Sequence, residues 1–436
     1  MPTITIDPKM FINKPYITCP KCNKESFGVL SIHSRHYVRR CRECRYDKSF
    51  SLPPVSRKVI YLDQFAISEM MKSINPSLKK VNKVNPFFRT LFEKLDVLNK
   101  AQAIICPEST NHFDESFVSS YYPALKRLYQ QLAHNFSFYD PDTIKRFQVI
   151  ENFKSWAGLD GQPIDIGHVL TGTGDLEGWE DRFIISVSLK DQDPNLADEI
   201  RRDRDQTSDA LVEIFHRWQT EKNKSFMDWY EEERSSYGKA LLQSYFKSIL
   251  EYNRLISSEI PLTLNSIGSI TSNISVIMSI IHRKLREKGL SDEEGVKKSF
   301  EYLNSNSLKN IPYVQISSML YASLAREGAL GRKKPPTKGM MNDIEAIASY
   351  ATYCDAIFID NECRRLLNHG LKESGYKLKT RVFSQDNKDE FLEYLGGIEK
   401  SLSKKHLNKI KEVYGENWLK PYVEMFTVEE INNKEG

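Results

Sequence analysis

Two sets of residues in this chain have the types and spacing to do chemistry. The first is a pair of cysteine knuckles, Cys19-Pro20-Lys21-Cys22 and Cys41-Arg42-Glu43-Cys44, separated by 18 residues. Two thiolates so spaced sit on one tight turn, and two such turns close a tetrahedral site for structural Zn²⁺. Residues 27–30 and 36–39 read as short strands between them, and a segment with so little apolar mass needs the metal to fold. Two disulfides are the alternative, which a reducing compartment disfavours. His33 and His36 lie between the knuckles, but four cysteines complete the shell, so both are read as surface residues. Cys106, Cys354 and Cys363 are read as core thiols.

The second set is acidic. Asp63 and Asp360 each end an apolar run directly before a helical stretch, Glu115 lies in the helix after a third such run, and Asp343 opens the helix 342–348. Carboxylates converging at the carboxyl ends of parallel strands repel one another unless a divalent cation sits among them. Hard oxygen ligands suit Mg²⁺ or Mn²⁺, which activate water and steady a leaving phosphate oxygen. Asp63, Asp343 and Asp360 could each instead be an ordinary helix N-cap. Glu108 and Asp114 compete with Glu115 for its position, and Asp355 is read as capping or orienting.

The elements that must position these acids are short, unalternated apolar runs at 58–63, 101–107, 356–360 and 380–384. Such runs fit strands buried on both faces of a parallel sheet. Helical patterns follow them at 67–72, 109–128, 361–369 and 388–398, and that alternation predicts an α/β sheet flanked by helices. Between the second and third runs the pattern is helical at 215–218, 229–233, 240–255 and 270–285, and turn-rich at 158–178. This stretch is read as a large helical insertion. Residues 399–426 read as a Lys-rich helix with Leu402, Leu407, Ile410 and Val413 on one face, packed on the body.

The chain has 436 residues, of which 40% are hydrophobic and 28% charged, so it can bury a sizeable core. No apolar run approaches the ~18 residues of a membrane span, and Met1 to Pro15 lacks the core of a signal peptide. A cytoplasmic protein without a membrane partner is expected. The net charge of +4 is uneven: residues 1–58 carry 12 bases and four acids, or +8, and the remainder is −4. A basic module of this kind fits a polyanionic partner.

Taken together, Val59-Ile60-Tyr61-Leu62-Asp63, Ser109-x-x-His112-x-x-Glu115, Asn342-Asp343-Ile344-x-x-Ile347-Ala348 and Asp355-Ala356-Ile357-Phe358-Ile359-Asp360 resemble the ordered acidic motifs of PIN-like nuclease domains. More narrowly, they look like bacterial PIN-like proteins with a helical insertion. The resemblance covers roughly residues 58–130 and 330–398. It implies an endonuclease that hydrolyses phosphodiesters with Mg²⁺ or Mn²⁺, RNA before DNA, leaving a 5′-phosphate. It also implies that Asp63, Glu115, Asp343 and Asp360 are the catalytic, metal-binding acids, and it is compatible with a defence or toxin role.

The basic run Arg332, Lys333, Lys334 and Lys338 precedes Asp343, and Asn361 and Arg364 follow Asp360; all six are candidate substrate contacts. A solvated linker is the alternative for the run, and capping or solvation for the last two. The spacing of Arg364 and His369 is reminiscent of HEPN ribonucleases, but that class is all-helical and the match is treated as coincidence.

The expected organisation is therefore a zinc ribbon at 1–54, a PIN-like domain in two parts at 55–135 and 311–400, a helical insertion at 136–310 and a helical tail at 401–436. The rival function is a non-catalytic zinc-ribbon nucleic-acid-binding or adaptor protein whose acids merely cap helices. A protein partner or inhibitor is compatible with either.

Overall fold

The computed structural model describes residues 8–75, 85–134, 136–172, 175–181, 210–257, 272–337 and 339–420. The N-terminal part is an antiparallel sheet of β1 (Asn13–Thr18), β2 (Glu25–His33), β3 (His36–Cys41) and β4 (Asp47–Ser51), paired in that order. The two strands read from sequence are the centre of this sheet. Its outer strands lack an apolar signature because they are largely exposed.

The body is built on a second sheet. β5 (Lys58–Leu62), β6 (Ile104–Ile105), β9 (Ala356–Phe358) and β10 (Arg381–Phe383) are all parallel, in the order β10-β9-β5-β6. Between β6 and β9 a small antiparallel pair, β7 (Ser137–Phe138) and β8 (Leu170–Thr171), lies within the stretch read as a mostly helical insertion. The unalternated apolar runs follow from burial on both faces. Ile60, Leu62, Ile104, Ala356 and Phe358 enter one core, and Val59, Tyr61, Ile105 and Ile357 enter the other.

The first core is covered by α1 (Gln64–Ile74), α2 (Phe87–Lys100), α4 (Tyr122–Ala133), α12 (Lys388–Ser401) and α13 (Lys404–Tyr414). The expected helix 109–128 is two, α3 (Thr110–Phe117) and α4, because Pro123 starts a new helix after a turn. The expected 399–426 helix likewise restarts at the Ser403 cap of α13, and its residues 421–426 lie outside the described residues.

Further helices include α5 (Pro141–Trp156), α6 (Phe226–Ser257), α7 (Asn273–Glu287), α8 (Asp292–Leu303), α9 (Pro312–Ala329), α10 (Met340–Tyr350) and α11 (Asn361–Ser374). Residues 270 and 271 of one expected helix lie outside the described residues. The stretch read as an insertion divides between two cores. Ile277, Ile281, Tyr302 and Leu308 form a helical core of their own with Val149 and Phe153 of α5. Phe215, Trp218, Trp229 and Tyr230 instead pack on the sheet's second core, beside Ile316 and Leu320 of α9. Among the described residues, no helix is long and apolar enough to cross a membrane.

The antiparallel sheet docks on the body. Val29, Ile32, Tyr37 and Leu52 share the first core with α1 and α13. The backbone N–H of Ile32 donates to Asp181 at 2.9 Å, Ser34 to Asp175 at 2.7 Å, and Tyr37 to Glu412 at 2.6 Å. Arg39 is buried and donates to the carbonyls of Pro15, Phe27 and Glu412 at 2.8, 3.0 and 2.8 Å. Part of the basic surplus read as contact surface is therefore structural.

Arg57 is another such case. Its side chain is 1% exposed, lies 3.6 Å from Glu180 and donates to Gln102 Oε1 and the Gly178 carbonyl, both at 2.5 Å. Arg57→Leu should destabilise the protein by about 3 kcal/mol or more in urea denaturation, because it strands Glu180 and two acceptors in the interior. A loss below ~1 kcal/mol would contradict this account.

Candidate functional site

The four cysteines converge. Cys19 and Cys44 sulfurs are 3.6 Å apart, as are those of Cys22 and Cys41. Tetrahedral Zn–S bonds of about 2.3 Å place sulfurs roughly 3.8 Å apart, so the cluster could hold a zinc ion. The two knuckles are built alike. Asn23 N–H donates to the Cys19 carbonyl and Arg45 N–H to that of Cys41, and both residues take the left-handed conformation that closes the turn. Burial pushes the Cys41 thiol up. Hydrogen bonds from Ser26 and from the amides of Cys44 and Glu43 outweigh that and bring it down to about 6, while the neighbouring Cys44 moves the other way. His33 and His36 stand at the far hairpin and are not in the cluster.

The acids meet at the carboxyl edge of the parallel sheet. Asp63, Glu115, Asp343 and Asp360 line one cleft of about 580 Å³ with Gln64, Phe65, Ser68, Glu69, Lys72, Thr337, Gly339, Met340 and Glu362. Asp63 follows β5, and its N–H donates to the Phe358 carbonyl of β9 at 2.9 Å, so it lies beside the segment carrying Asp360. Glu115 is carried by α3, which a capping box of Ser109 and His112 starts. Asn111 of α3 donates to the Asn342 carbonyl at 3.1 Å and so ties that helix to the first turn of α10, where Asp343 sits.

Two of the three acids, Asp63 and Asp360, stand at helix N-cap positions. Asp360 Oδ1 accepts from the amides of Glu362 and Cys363 at 2.7 and 2.9 Å. Asp63 occupies the N-cap position of α1, where the backbone amides of Phe65 and Asp360 favour its carboxylate. Asp343 is not a cap, because Gly339 occupies that place. Carboxylate oxygens of Asp343 and Asp360 and the sulfur of Cys363 lie within 4.8 Å of one another. Burial and those two acids hold the Cys363 thiol protonated, and it stays in the core as expected.

The competitors lie elsewhere. Glu108 and Asp114 are not among the residues lining this cleft. Asp355 stands at the opposite edge of the sheet, where it pairs with Lys58 Nζ at 2.7 Å and accepts from Val59 N–H at 2.9 Å.

Three of the six candidate substrate contacts are engaged with protein. Arg332 pairs with Glu327 at 3.0 Å and with Glu362 at 2.5 Å. Asn361 exchanges hydrogen bonds with Asp386 at 2.8 and 3.1 Å, and Arg364 donates to the Val382 carbonyl at 3.4 Å. Arg332, Lys334 and Asn361 line a second cleft with Glu327 and Arg365, and Glu362 borders both clefts. Lys333 is exposed, and Lys338 lies outside the described residues. Sequence reasoning missed Gln64, Ser68, Glu69 and Lys72. Their spacing along α1 after Asp63 is the helical period that would have placed them on one face with it.

Six carboxylates and one lysine line the acid cleft. Burial, and then the charges of Asp360 and Glu115, raise Asp63 from 3.8 to about 7. A carboxyl raised on folding costs stability once ionised: the cost is absent below pH ~4, grows toward pH ~7 and is complete above it. Asp63→Asn should therefore raise the metal-free protein's stability above pH 7 and leave it unchanged near pH 4. The full shift bounds the gain at roughly 4 kcal/mol, and solvent screening reduces the expected value to about 1–2 kcal/mol. Urea denaturation of both proteins across that range checks it; a gain that is flat with pH would contradict it.

No family model, no curated protein and no solved structure matches the chain.

Proposed function

We propose that the chain is a divalent-cation-dependent phosphodiesterase acting on nucleic acid, RNA before DNA, on a PIN-like sheet. One observation carries the reading. Four acids from four separated segments meet in one cleft at the carboxyl edge of a parallel sheet.

The carboxylates of the cleft suit Mg²⁺ or Mn²⁺ as hard oxygen donors, and among the described residues Asp343 and Asp360 lie with the Cys363 sulfur in a group of atoms within 4.8 Å of one another. Asp63, Glu115, Asp343 and Asp360 would hold the ion. When bound, such an ion supplies the positive charge that admits a phosphodiester to the cleft and activates water for its hydrolysis. Asp360 accepts two amide hydrogen bonds on one oxygen, which fixes the orientation of the other. Lys72, held 2.7 Å from Glu69 on the cleft wall, would neutralise a backbone phosphate. The basic antiparallel sheet would add contacts that do not read sequence.

The test incubates the full-length protein with labelled single- and double-stranded RNA and DNA in Mn²⁺, Mg²⁺ or chelator. Metal-dependent cleavage supports the reading. Binding of these substrates with no cleavage in any metal would replace it with the non-catalytic one.

A further inference from the structure

The acid cleft rests on a small polar network inside the first core. Gln64, directly after Asp63, donates from Nε2 to the hydroxyl of Ser116 at 3.0 Å, and Ser116 directly follows Glu115. The other end of the same carboxamide, Oε1, accepts the phenol hydrogen of Tyr129. Gln64 and Ser116 are buried, and Tyr129 is fully so. His112 stacks on the Tyr129 ring at 5.0 Å and on Tyr61 at 5.2 Å. Its Nδ1 accepts the Ser109 amide hydrogen at 3.1 Å, so the start of α3 and the phenol are braced together.

Asp63 and Glu115 come from segments about 50 residues apart. Among the described residues, the Gln64–Ser116 hydrogen bond is a side-chain link between the two positions immediately beside them. Both ends of Gln64 are engaged, and because each partner is a hydroxyl that can donate or accept, the carboxamide is held between Tyr129 and Ser116 in either amide orientation. Burial and nearby carboxylates keep the phenol protonated across the usable pH range, so it remains a donor. Burial likewise keeps His112 neutral, at about 3, and it adds no charge to the cleft.

We propose that Gln64, clamped by Tyr129 and Ser116, is a positioning residue that holds Asp63 and Glu115 at the spacing Mg²⁺ needs, and thereby sets the site's choice between Mg²⁺ and Mn²⁺. The inference rests on reading the acid cleft as a divalent-cation site. Mg²⁺ demands near-ideal octahedral geometry at short distances, so a loosened ligand pair penalises it more than the larger, more tolerant Mn²⁺. Residues that orient metal ligands are worth about 10–100-fold in affinity when removed.

The test measures Mg²⁺ and Mn²⁺ binding to the full-length protein by titration calorimetry, with substrate absent, for the unaltered protein and for Gln64→Met, Tyr129→Phe, Ser116→Ala and Ser116→Thr. Gln64→Met and Tyr129→Phe should weaken Mg²⁺ binding by about tenfold or more and Mn²⁺ binding by clearly less. Ser116→Ala should follow them, and Ser116→Thr, which keeps the hydroxyl, should restore the Mg²⁺ affinity.

Equal losses for both metals, or none, overturn the inference, as does a loss that Ser116→Thr shares with Ser116→Ala. Melting of each variant without metal separates a mere loss of fold, which weakens both metals alike. If the unaltered protein binds neither metal, this inference and the metal-site reading fall together. If it binds both yet cleaves no nucleic acid, only the hydrolase reading falls.

Discussion

Asp63→Asn should abolish metal-dependent cleavage of single-stranded RNA, lowering the rate at least ~10²-fold, while making the metal-free fold more stable above pH 7. That pairing discriminates better than loss of activity alone. A residue that merely caps a helix keeps its stability when Asn replaces it, whereas burial and the charges of Asp360 and Glu115 weigh on the Asp63 carboxylate, so its Asn variant gains. A carboxylate kept at such a cost is expected where function requires it.

Asp360→Asn should be comparably inactive yet folded, because Asn still accepts the amides of Glu362 and Cys363 that start α11. Asp355→Asn is the control. It lies at the opposite edge of the sheet and weakens the contacts to Lys58 and Val59, so it should cost about 1 kcal/mol and leave cleavage intact. Rates measured on one labelled substrate, with melting curves for each variant, decide the matter. Undiminished cleavage by both Asp63→Asn and Asp360→Asn would remove the acid cleft from consideration as the active site.

Removing metal from the cysteine cluster should have the second large effect. We expect about one zinc per chain by elemental analysis, lost in Cys41→Ser. Structural zinc contributes about 10–16 kcal/mol in small domains of this kind, far more than the cysteine cluster's own apolar neighbours Phe27 and Phe50 can supply. Beyond unfolding the antiparallel sheet, the loss should reach the body. Val29, Ile32 and Tyr37 cover part of the first core, and Arg39 and Tyr37 hold Glu412 of α13. Stripped protein should therefore be cut by protease before Pro53 and should melt at a lower temperature than the loaded protein. An N-terminal sheet that resists protease with no metal bound would refute the zinc assignment.

Much of this architecture is local in origin and was legible residue by residue. Runs such as Val59–Leu62 are apolar at every position because consecutive side chains enter two different cores, so β5, β6 and β9 announce themselves. The cysteine knuckles announce themselves because a C-x2-C turn is a short-range geometry. Asp63 and Asp360 stand out because each ends such a strand directly.

Contacts between distant segments were not legible. Sequence left Glu108, Asp114 and Glu115 open, and only the rotation of α3 in the assembled fold places Glu115 on the cleft. Nor could it show that Arg39 and Arg57 are spent inside the protein, that Arg332 pairs with Glu362, or that Gln64 reaches Ser116. A side chain's type and its neighbours in sequence determine what it can do. Which of those things it does depends on groups 52 to 375 positions away, and only packing brings them within hydrogen-bonding distance.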